Sequence, residues 1–237
     1  MLDFGFYNMD CMDGMKDFPD KYFDLAVVDP PYGIGCMSMN YTKSGAVRIS
    51  RRNGNKSVGR RDYRKQTQWD VRPTAEYFAE LFRVSKSQII WGGNYFSDVL
   101  KPSKGFIVWD KRCYDSMRND FADCEFAWIS EGLGVARMFR YIWNGMIRAD
   151  QKNKEERFHP TQKPIALYKW ILKNYAKPGY KILDTHVGSG SSLIACYEFG
   201  FDYVGFEIDE EYYRKAADRI ERAKSQIRFD INDLLTQ

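Results

Sequence analysis

Leu25-Ala26-Val27-Val28-Asp29-Pro30-Pro31-Tyr32 runs four aliphatic residues into an acid, two prolines and an aromatic ring. A continuous apolar run that stops at proline reads as a parallel strand buried on both faces and entering a rigid loop, because proline has no N–H to give a sheet ladder. Its last four residues then stand at the carboxyl edge of a sheet, where open α/β sheets bind ligands. Each proline fixes its own φ and restricts the residue before it, so the Asp29 carboxylate and the Pro30 carbonyl point in set directions. Tyr32 adds a flat face. Two convergent acceptors beside a stacking surface suit an amino group on a planar ring. A lone tetrapeptide of this kind is equally well a strand-terminating turn, so the choice falls to the rest of the chain.

The 237 residues suffice for one well-buried α/β domain and not for two of ordinary size. Hydrophobic residues at 44% and charged residues at 29% describe a soluble globular chain. No apolar run approaches the roughly 20 residues of a membrane span, and Met1-Leu2-Asp3-Phe4 lacks a basic stretch followed by an apolar one. An intracellular, cytoplasmic protein without a membrane partner is therefore expected. Cys11, Cys36, Cys113, Cys124 and Cys196 are scattered, form no C-x-x-C, and have only two histidines to join them. Reduced thiols and no metal site are the expectation.

Charge is unevenly placed. Between Cys36 and Arg72 ten Lys or Arg face two acids, Asp62 and Asp70, against a whole-chain net of +4, so a basic segment sits on a slightly acidic body. Over residues 36–68 the apolar periodicity disappears, and a loop of that length in a compact domain is usually functional or disordered. It is expected to be mobile until something anionic orders it, with Arg48, Arg51, Arg52, Lys56, Arg60, Arg61, Arg64 and Lys65 as the cations that contact the polyanion.

The remaining pattern alternates strands and helices. Gly5 to Met9 and Asp24 to Asp29 read as strands flanking a helix from Cys11 to Phe18. Proline-led Thr74 to Val84 carries Tyr77, Phe78, Leu81 and Phe82 at helical spacing. Strands come next at Gln88 to Trp91, Phe106 to Trp109, Glu125 to Ile129 and Arg137 to Trp143, with polar connectors at Asp110 to Asp123 and Asn144 to Phe158. A helix from Ile165 to Tyr175 precedes a β-α-β unit built from Lys181 to Asp184, Ser192 to Phe199 and Tyr203 to Glu207, and Glu210 to Lys224 is a closing helix.

Within that unit, Asp184-Thr185-His186-Val187-Gly188-Ser189-Gly190-Ser191-Ser192 turns from strand to helix. Glycines let the backbone approach a ligand, and the N–H groups of a helix N-terminus make a polar cradle. The turn lacks the lysine of a P-loop and the G-x-G-x-x-G spacing, which argues against ATP and NAD. The next strand ends in Glu207, about twenty residues on, where a carboxylate accepts both hydroxyls of a ribose. A nucleoside-bearing cofactor is therefore expected.

Taken together, Asp29 to Tyr32, His159-Pro160-Thr161-Gln162-Lys163-Pro164, Leu183-Asp184 to Gly190, and Val204 to Asp209 resemble the amino-group (N6-adenine or N4-cytosine) DNA methyltransferases, in the order that places the catalytic tetrapeptide before the cofactor turn. Four motifs in this order and spacing are a specific signal, covering about Asn8 to Tyr32 and His159 to Arg222. The middle third is only loosely similar. Thr185 and His186 depart from the family, which usually has Pro and Phe there. The resemblance implies an S-adenosylmethionine-dependent methyltransferase fold: a single circularly permuted α/β domain over residues 1–237, a seven-stranded, mostly parallel sheet with helices on both faces, a C-terminal antiparallel hairpin, and a target-recognition insertion at 110–158.

Roles are assigned by the same analogy. The cofactor would be S-adenosylmethionine, with the Gly188 turn (Asp184, His186, Gly188, Ser189, Gly190, Ser191) at its methionine part. Glu207 would meet the ribose and Asp10, beside Cys11, the adenine amine. His159, Thr161 and Lys163 would close over the methionine carboxylate, and Asp29 would border the cofactor as well as the base. Asp29, Pro30, Pro31 and Tyr32 would form the catalytic site. There, hydrogen bonds from an exocyclic amine to Asp29 and the Pro30 carbonyl favour a pyramidal nitrogen, and Tyr32 stacks on a base flipped from double-stranded DNA. The chain has no Pro-Cys dipeptide, so the covalent cysteine route to cytosine carbon-5 is unsupported. An acid at position 29 leans toward adenine N6, since N4-cytosine enzymes of this order more often carry Ser. A silent DNA-binding module is the reading from another class, and RNA or protein-glutamine methyltransferases usually show the reverse motif order with Asn-Pro-Pro-Tyr. Enzymes of this order are often dimers, so a homodimer is the expected assembly, in a bacterial or phage-type restriction-modification setting.

Overall fold

Strand β2 (Phe23–Val28) carries the apolar run, and period-two alternation puts Leu25 and Val27 on one face and Ala26 and Val28 on the other. All four are buried, so both faces of the sheet are covered at this strand. The computed structural model describes residues 1–34, 70–112, 122–144, 147–148, 155 and 157–235.

The chain divides into two units, Met1–Pro30 with Pro73–Gln237, and Pro31–Arg72. The larger holds an eight-stranded sheet. Its members besides β2 are β1 (Gly5–Asn8), β3 (Ser85–Trp91), β4 (Phe106–Asp110), β5 (Cys124–Ile129), β6 (Arg137–Arg140), β9 (Lys181–Asp184) and β10 (Asp202–Glu207). They lie side by side in the order β1-β10-β9-β2-β3-β5-β4-β6. The pairs from β1 through β3 are parallel, β5 runs antiparallel between β3 and β4, and β6 lies parallel to β4 at the edge. A separate antiparallel pair, β7 (Trp143–Asn144) and β8 (Ile147–Arg148), completes the described strands.

Helices α1 (Cys11–Met15), α2 (Ala75–Val84), α3 (Ile165–Tyr175), α4 (Ser191–Phe199) and α5 (Glu210–Leu235) connect and cover the strands. Asp10 caps α1, accepting from the Met12 N–H at 2.8 Å. Tyr77, Phe78, Leu81 and Val84 are the buried stripe of α2. Leu167 and Ile171 of α3 and Ala195 and Cys196 of α4 join Leu25, Val27, Ile89 and Trp91 in one apolar cluster. Helix α4 ends at Gly200 in the left-handed region, where the Gly200 and Phe201 N–H groups bond back to the Tyr197 and Cys196 carbonyls, a Schellman closure.

Several expectations need correction. Among the described residues the sheet has eight strands rather than the seven that the resemblance implies, because each of the eight strand stretches of the sequence joins it, Arg137–Arg140 by pairing with β4 at the edge. The antiparallel pairing lies mid-chain at β4 and β5, whose five-pair register places it there, and the chain closes instead on α5. That helix runs on to Leu235, and the helix after Asp10 stops at Met15. The connector after Asn144 includes β8.

In the smaller unit, the Gly33 N–H donates to Asp70 Oδ1 at 3.0 Å. Gly33 has φ +69°, and a Cβ there would lie 2.7 Å from the Arg72 Cβ, so both backbone shape and space demand glycine. Residues 36–68, the expected DNA-contacting loop, lie outside the described residues.

Candidate active site

Parallel pairing of β2 with β9 and of β9 with β10 brings three carboxyl strand ends side by side. Asp29, Asp184 and Glu207 stand at those ends, which converts a sequence separation of well over a hundred residues into one edge of the sheet.

Asp184 is 1% exposed and organises the glycine turn: Oδ1 accepts from the His186 N–H at 3.0 Å and Oδ2 from Ser192 Oγ at 2.5 Å. Burial pushes its carboxyl up to about 7, against the pull of those two donors. Glu207 closes the same turn from β10. Its Oε2 accepts from the Gly188 N–H at 2.8 Å and its Oε1 from the Asp209 N–H at 2.9 Å, and burial raises its pKa. Gly188 and Gly190 have φ +56° and +81°, and a Cβ on Gly190 would meet Ile220 at 3.1 Å. The Asn8↔Glu207 register sets Asp10 just past the end of β1, beside the end of β10. The Cys11 thiol is pushed up to about 12, mainly by burial and then by Asp10, so it stays protonated.

His159 covers the glycine turn: a Cβ on Gly188 would lie 3.5 Å from its ring. The ring packs 4.4 Å from that of Tyr212, and Nδ1 lies 3.2 Å from Thr161 Oγ1. Burial, then Lys163 and Arg157, depress its pKa to about 3, so it is neutral. His186 is also neutral, lowered by burial to about 4. It takes a polar partner that the usual phenylalanine could not: Nδ1 lies 2.9 Å from Thr185 Oγ1, which lies 2.6 Å from the buried Tyr77 hydroxyl.

Lys163 departs from its expected place. Its carbonyl accepts from Ser191 Oγ at 2.8 Å, so its backbone does border the glycine turn. Its ammonium, however, donates to Asp29 Oδ2 at 2.5 Å, lies 3.2 Å from Glu125 Oε2, and sits 5.3 Å over the Trp91 ring. Burial works against the charge, but Asp29 and Glu125 outweigh it and the ammonium is held above its ordinary pKa. Glu125 in turn accepts from Lys111 Nζ at 2.9 Å, and the two lysines overcome its burial to bring it down to about 2.

Residues 136–218 match the family model for N6/N4 DNA methylases, described as DNA methylase. Type II methyltransferase M.HpaI of Haemophilus parainfluenzae is 36% identical over 69 residues, 29% of this chain and 22% of its own length. The stretch 136–218 is thus similar to the N6/N4 DNA methylase family. The matched stretches span about a third or less of the curated relatives' own length. Over nearly the whole chain the fold matches the M1.HpyAVI–SAM complex (TM-score 0.54, 20% identity, 90% of this chain and 98% of that one). It also matches the PvuII DNA methyltransferase, cytosine-N4-specific (TM-score 0.56, 13% identity, 96% and 93%).

Of the expected site residues, the structure gathers Asp184, His186, Gly188, Ser189, Gly190 and Ser191 in one turn, with Glu207 bonded to it and His159 packed over it. Pro30 is buried at the end of the larger unit, whereas Pro31 and Tyr32 belong to the smaller one. Arg48, Arg51, Arg52, Lys56, Arg60, Arg61, Arg64 and Lys65 lie outside the described residues. Among those described, no group of His, Cys, Asp and Glu could hold a metal ion, and no helix is long and apolar enough to cross a membrane.

Sequence reading missed a clasp behind the turn. Arg219 donates from Nη1 to the Ser189 carbonyl at 2.7 Å and to Ser191 Oγ at 2.9 Å, and from Nη2 to Glu155 Oε2 at 2.7 Å. Glu155 Oε1 accepts from the Ile165 N–H at 3.1 Å, capping α3. A signal existed: Arg219 shares the face of α5 with the buried Tyr212, Ala216 and Ile220. Glu125, an acid opening an apolar strand, was the corresponding signal for the partner of Lys163.

Proposed function

We propose that the protein transfers a methyl group from S-adenosylmethionine to an exocyclic amine of a DNA base, namely adenine N6. The observation that supports this most is the placement of Asp29 on the strand next to the glycine turn and Glu207, which sets an amine acceptor beside a nucleoside cradle.

The residues suit that cofactor. Glu207 is held in one orientation by two backbone N–H groups and keeps lone pairs for ribose hydroxyls. Asp10, anchored through one oxygen by Met12, offers a carboxylate to an adenine amine. Two acids suit hydroxyls and an amine and would repel a phosphate. When bound, the cofactor would supply an electrophilic methyl group. Asp29 and the Pro30 carbonyl accept the N–H groups of the target amine and turn its lone pair out of conjugation with the ring, toward that methyl. A carboxylate has about four acceptor sites, so Asp29 can hold the amine and Lys163 together. Tyr32 stacks on the flipped base, which must leave the duplex to reach Asp29. The Cys11 thiol is held protonated and so does not act as a nucleophile there.

Adenine is favoured over cytosine by the acid at position 29. The basic residues of 36–68 would grip the phosphate backbone, with residues 110–158 as the target-reading insertion of a single domain, and the active form would be a homodimer. Incubation with methyl-labelled S-adenosylmethionine and unmethylated genomic DNA, followed by digestion to nucleosides, should place label in N6-methyladenine. Label in N4-methylcytosine would transfer the reading to the cytosine class, and label in no base would leave a DNA-binding module. Light scattering at micromolar concentration tests the dimer.

A further inference from the structure

The buried ammonium of Lys163, bridging Asp29 and Glu125, has no role in methyl transfer as proposed so far. Four charged groups alternate in sign along a row: Asp29, Lys163, Glu125, Lys111, at 2.5, 3.2 and 2.9 Å. The Lys163 side chain is 3% exposed, so its charge is not shared with water, and the Trp91 ring face lies 5.3 Å from it. A buried lysine satisfied in this way is a fixed point rather than a mobile arm, because leaving either carboxylate would strand a charge out of water.

We propose that Lys163 is a positioning residue for the target amine: it fixes the direction of the Asp29 carboxylate and keeps it ionised, with Glu125 and Lys111 setting how much positive charge Asp29 feels. This rests on the reading of Asp29 as the acceptor for the base. It replaces the expected role of the Lys163 ammonium at the cofactor carboxylate. Protonation would remove the negative charge and part of the acceptor capacity that hold a lysine and an amine N–H together, so the acid limb of the transfer rate tracks the titration of Asp29.

The groups facing Asp29 come from several elements. Lys163 precedes α3 and Tyr168 lies on it, Glu125 is on β5, Lys111 comes just after β4, Asp184 ends β9, and Tyr77 lies on α2. Asp184 and Glu125 both work against ionisation of Asp29, and Tyr77 and Tyr168 are neutral phenols whose own ionisation burial opposes. Lys163 is the one cation of the row in direct contact with Asp29.

Three variants test this: Lys163→Met, Lys163→Arg and Glu125→Gln. The carboxyl carbon of Asp29, labelled with ¹³C and assigned through Asp29→Asn, is titrated by NMR. Cofactor affinity and the pH dependence of single-turnover methyl transfer are measured on the same samples. Removal of an adjacent opposite charge should raise the Asp29 midpoint by about 1 to 3 pH units in Lys163→Met, and the acid limb of the rate should move with it. Lys163→Arg should restore the midpoint. Glu125→Gln removes a like charge and a competitor for the ammonium, so the midpoint should fall. Cofactor affinity should stay within about threefold in all three, because the Lys163 ammonium does not hold the cofactor. An Asp29 midpoint unmoved in Lys163→Met and in Glu125→Gln, or cofactor affinity falling in step with the rate, overturns the proposal and returns Lys163 to the cofactor. If the wild type methylates no base, the functional reading fails, while the NMR titration still decides the role of Lys163. Should Lys163→Met fail to fold, the downward movement in Glu125→Gln carries the test.

Discussion

His186 carries a pH liability that a phenylalanine would not. Its pKa is lowered to about 4 by burial, whereas a histidine in the unfolded chain titrates near its ordinary value. The unfolded state therefore gains a proton before the folded state does, and the protein loses stability as pH falls from about 6.5 toward 4. Above about 6.5 the effect is absent. In His186→Phe this part of the acid sensitivity should vanish, a difference on the order of 2 kcal/mol between denaturant unfolding at pH 7.5 and at pH 4; equal acid slopes in the two proteins would clear His186 of this liability. Asp29 and Glu207 separate by role at the same scale. Asp29→Ala should abolish methyl transfer and leave cofactor affinity nearly intact, whereas Glu207→Ala should weaken cofactor binding by on the order of 1 to 3 kcal/mol, since a buried hydroxyl loses its acceptor. Calorimetric titration with S-adenosylmethionine distinguishes them, and equal losses would contradict the division. Neither the lysine on Asp29 nor the histidine on Thr185 was legible beforehand. A motif says which residue types meet a ligand, but the direction of a long flexible side chain is decided by charges from β5, over 30 residues away in the chain.

Among the elements, those with a strong apolar pattern were legible to the residue or nearly so. Lys181–Asp184 and Ile165–Tyr175 end where the sequence pattern ends, since Pro178-Gly179 and the glycine turn punctuate them. Strand β6 was not separable from β7, because the two-residue break at Tyr141 and Ile142 is aromatic and aliphatic like the strands it divides. The extension of α5 beyond Lys224 was missed because Ser225, Asp230, Asn232 and Asp233 are weak helix formers, although Ile227, Ile231, Leu234 and Leu235 keep the helical spacing. The Arg219 and Glu155 clasp ties α5, the glycine turn and the start of α3 into one assembly. Arg219→Met should therefore leave the Glu155 carboxylate and the Ser189 carbonyl short of a partner. The expected cost is on the order of 2 kcal/mol of stability together with a weaker cofactor complex. Chemical denaturation with and without S-adenosylmethionine measures both, and an unchanged midpoint in each would show the clasp to be idle.

For the whole molecule, the sheet order explains why residues from the two ends of the sequence share one site: β2 lies beside β9, and strands pair by proximity rather than by chain order. In the proposed function the basic residues of 36–68 hold the phosphate backbone. Replacing Arg51, Arg52, Arg60 and Arg61 together with Ala should weaken DNA binding and flatten the dependence of log affinity on log salt by about one unit for each phosphate no longer neutralised. Cofactor affinity should not change. An unchanged salt slope would place the DNA grip elsewhere. The most direct measurement is base-resolution mapping of methylated positions in DNA from cells that express the wild type or Asp29→Ala and otherwise lack amino-methylated bases. The expected result is N6-methyladenine at one short recurrent sequence with the wild type and at none with Asp29→Ala; no methylated base with the wild type, or the same methylated positions with both proteins, would contradict it.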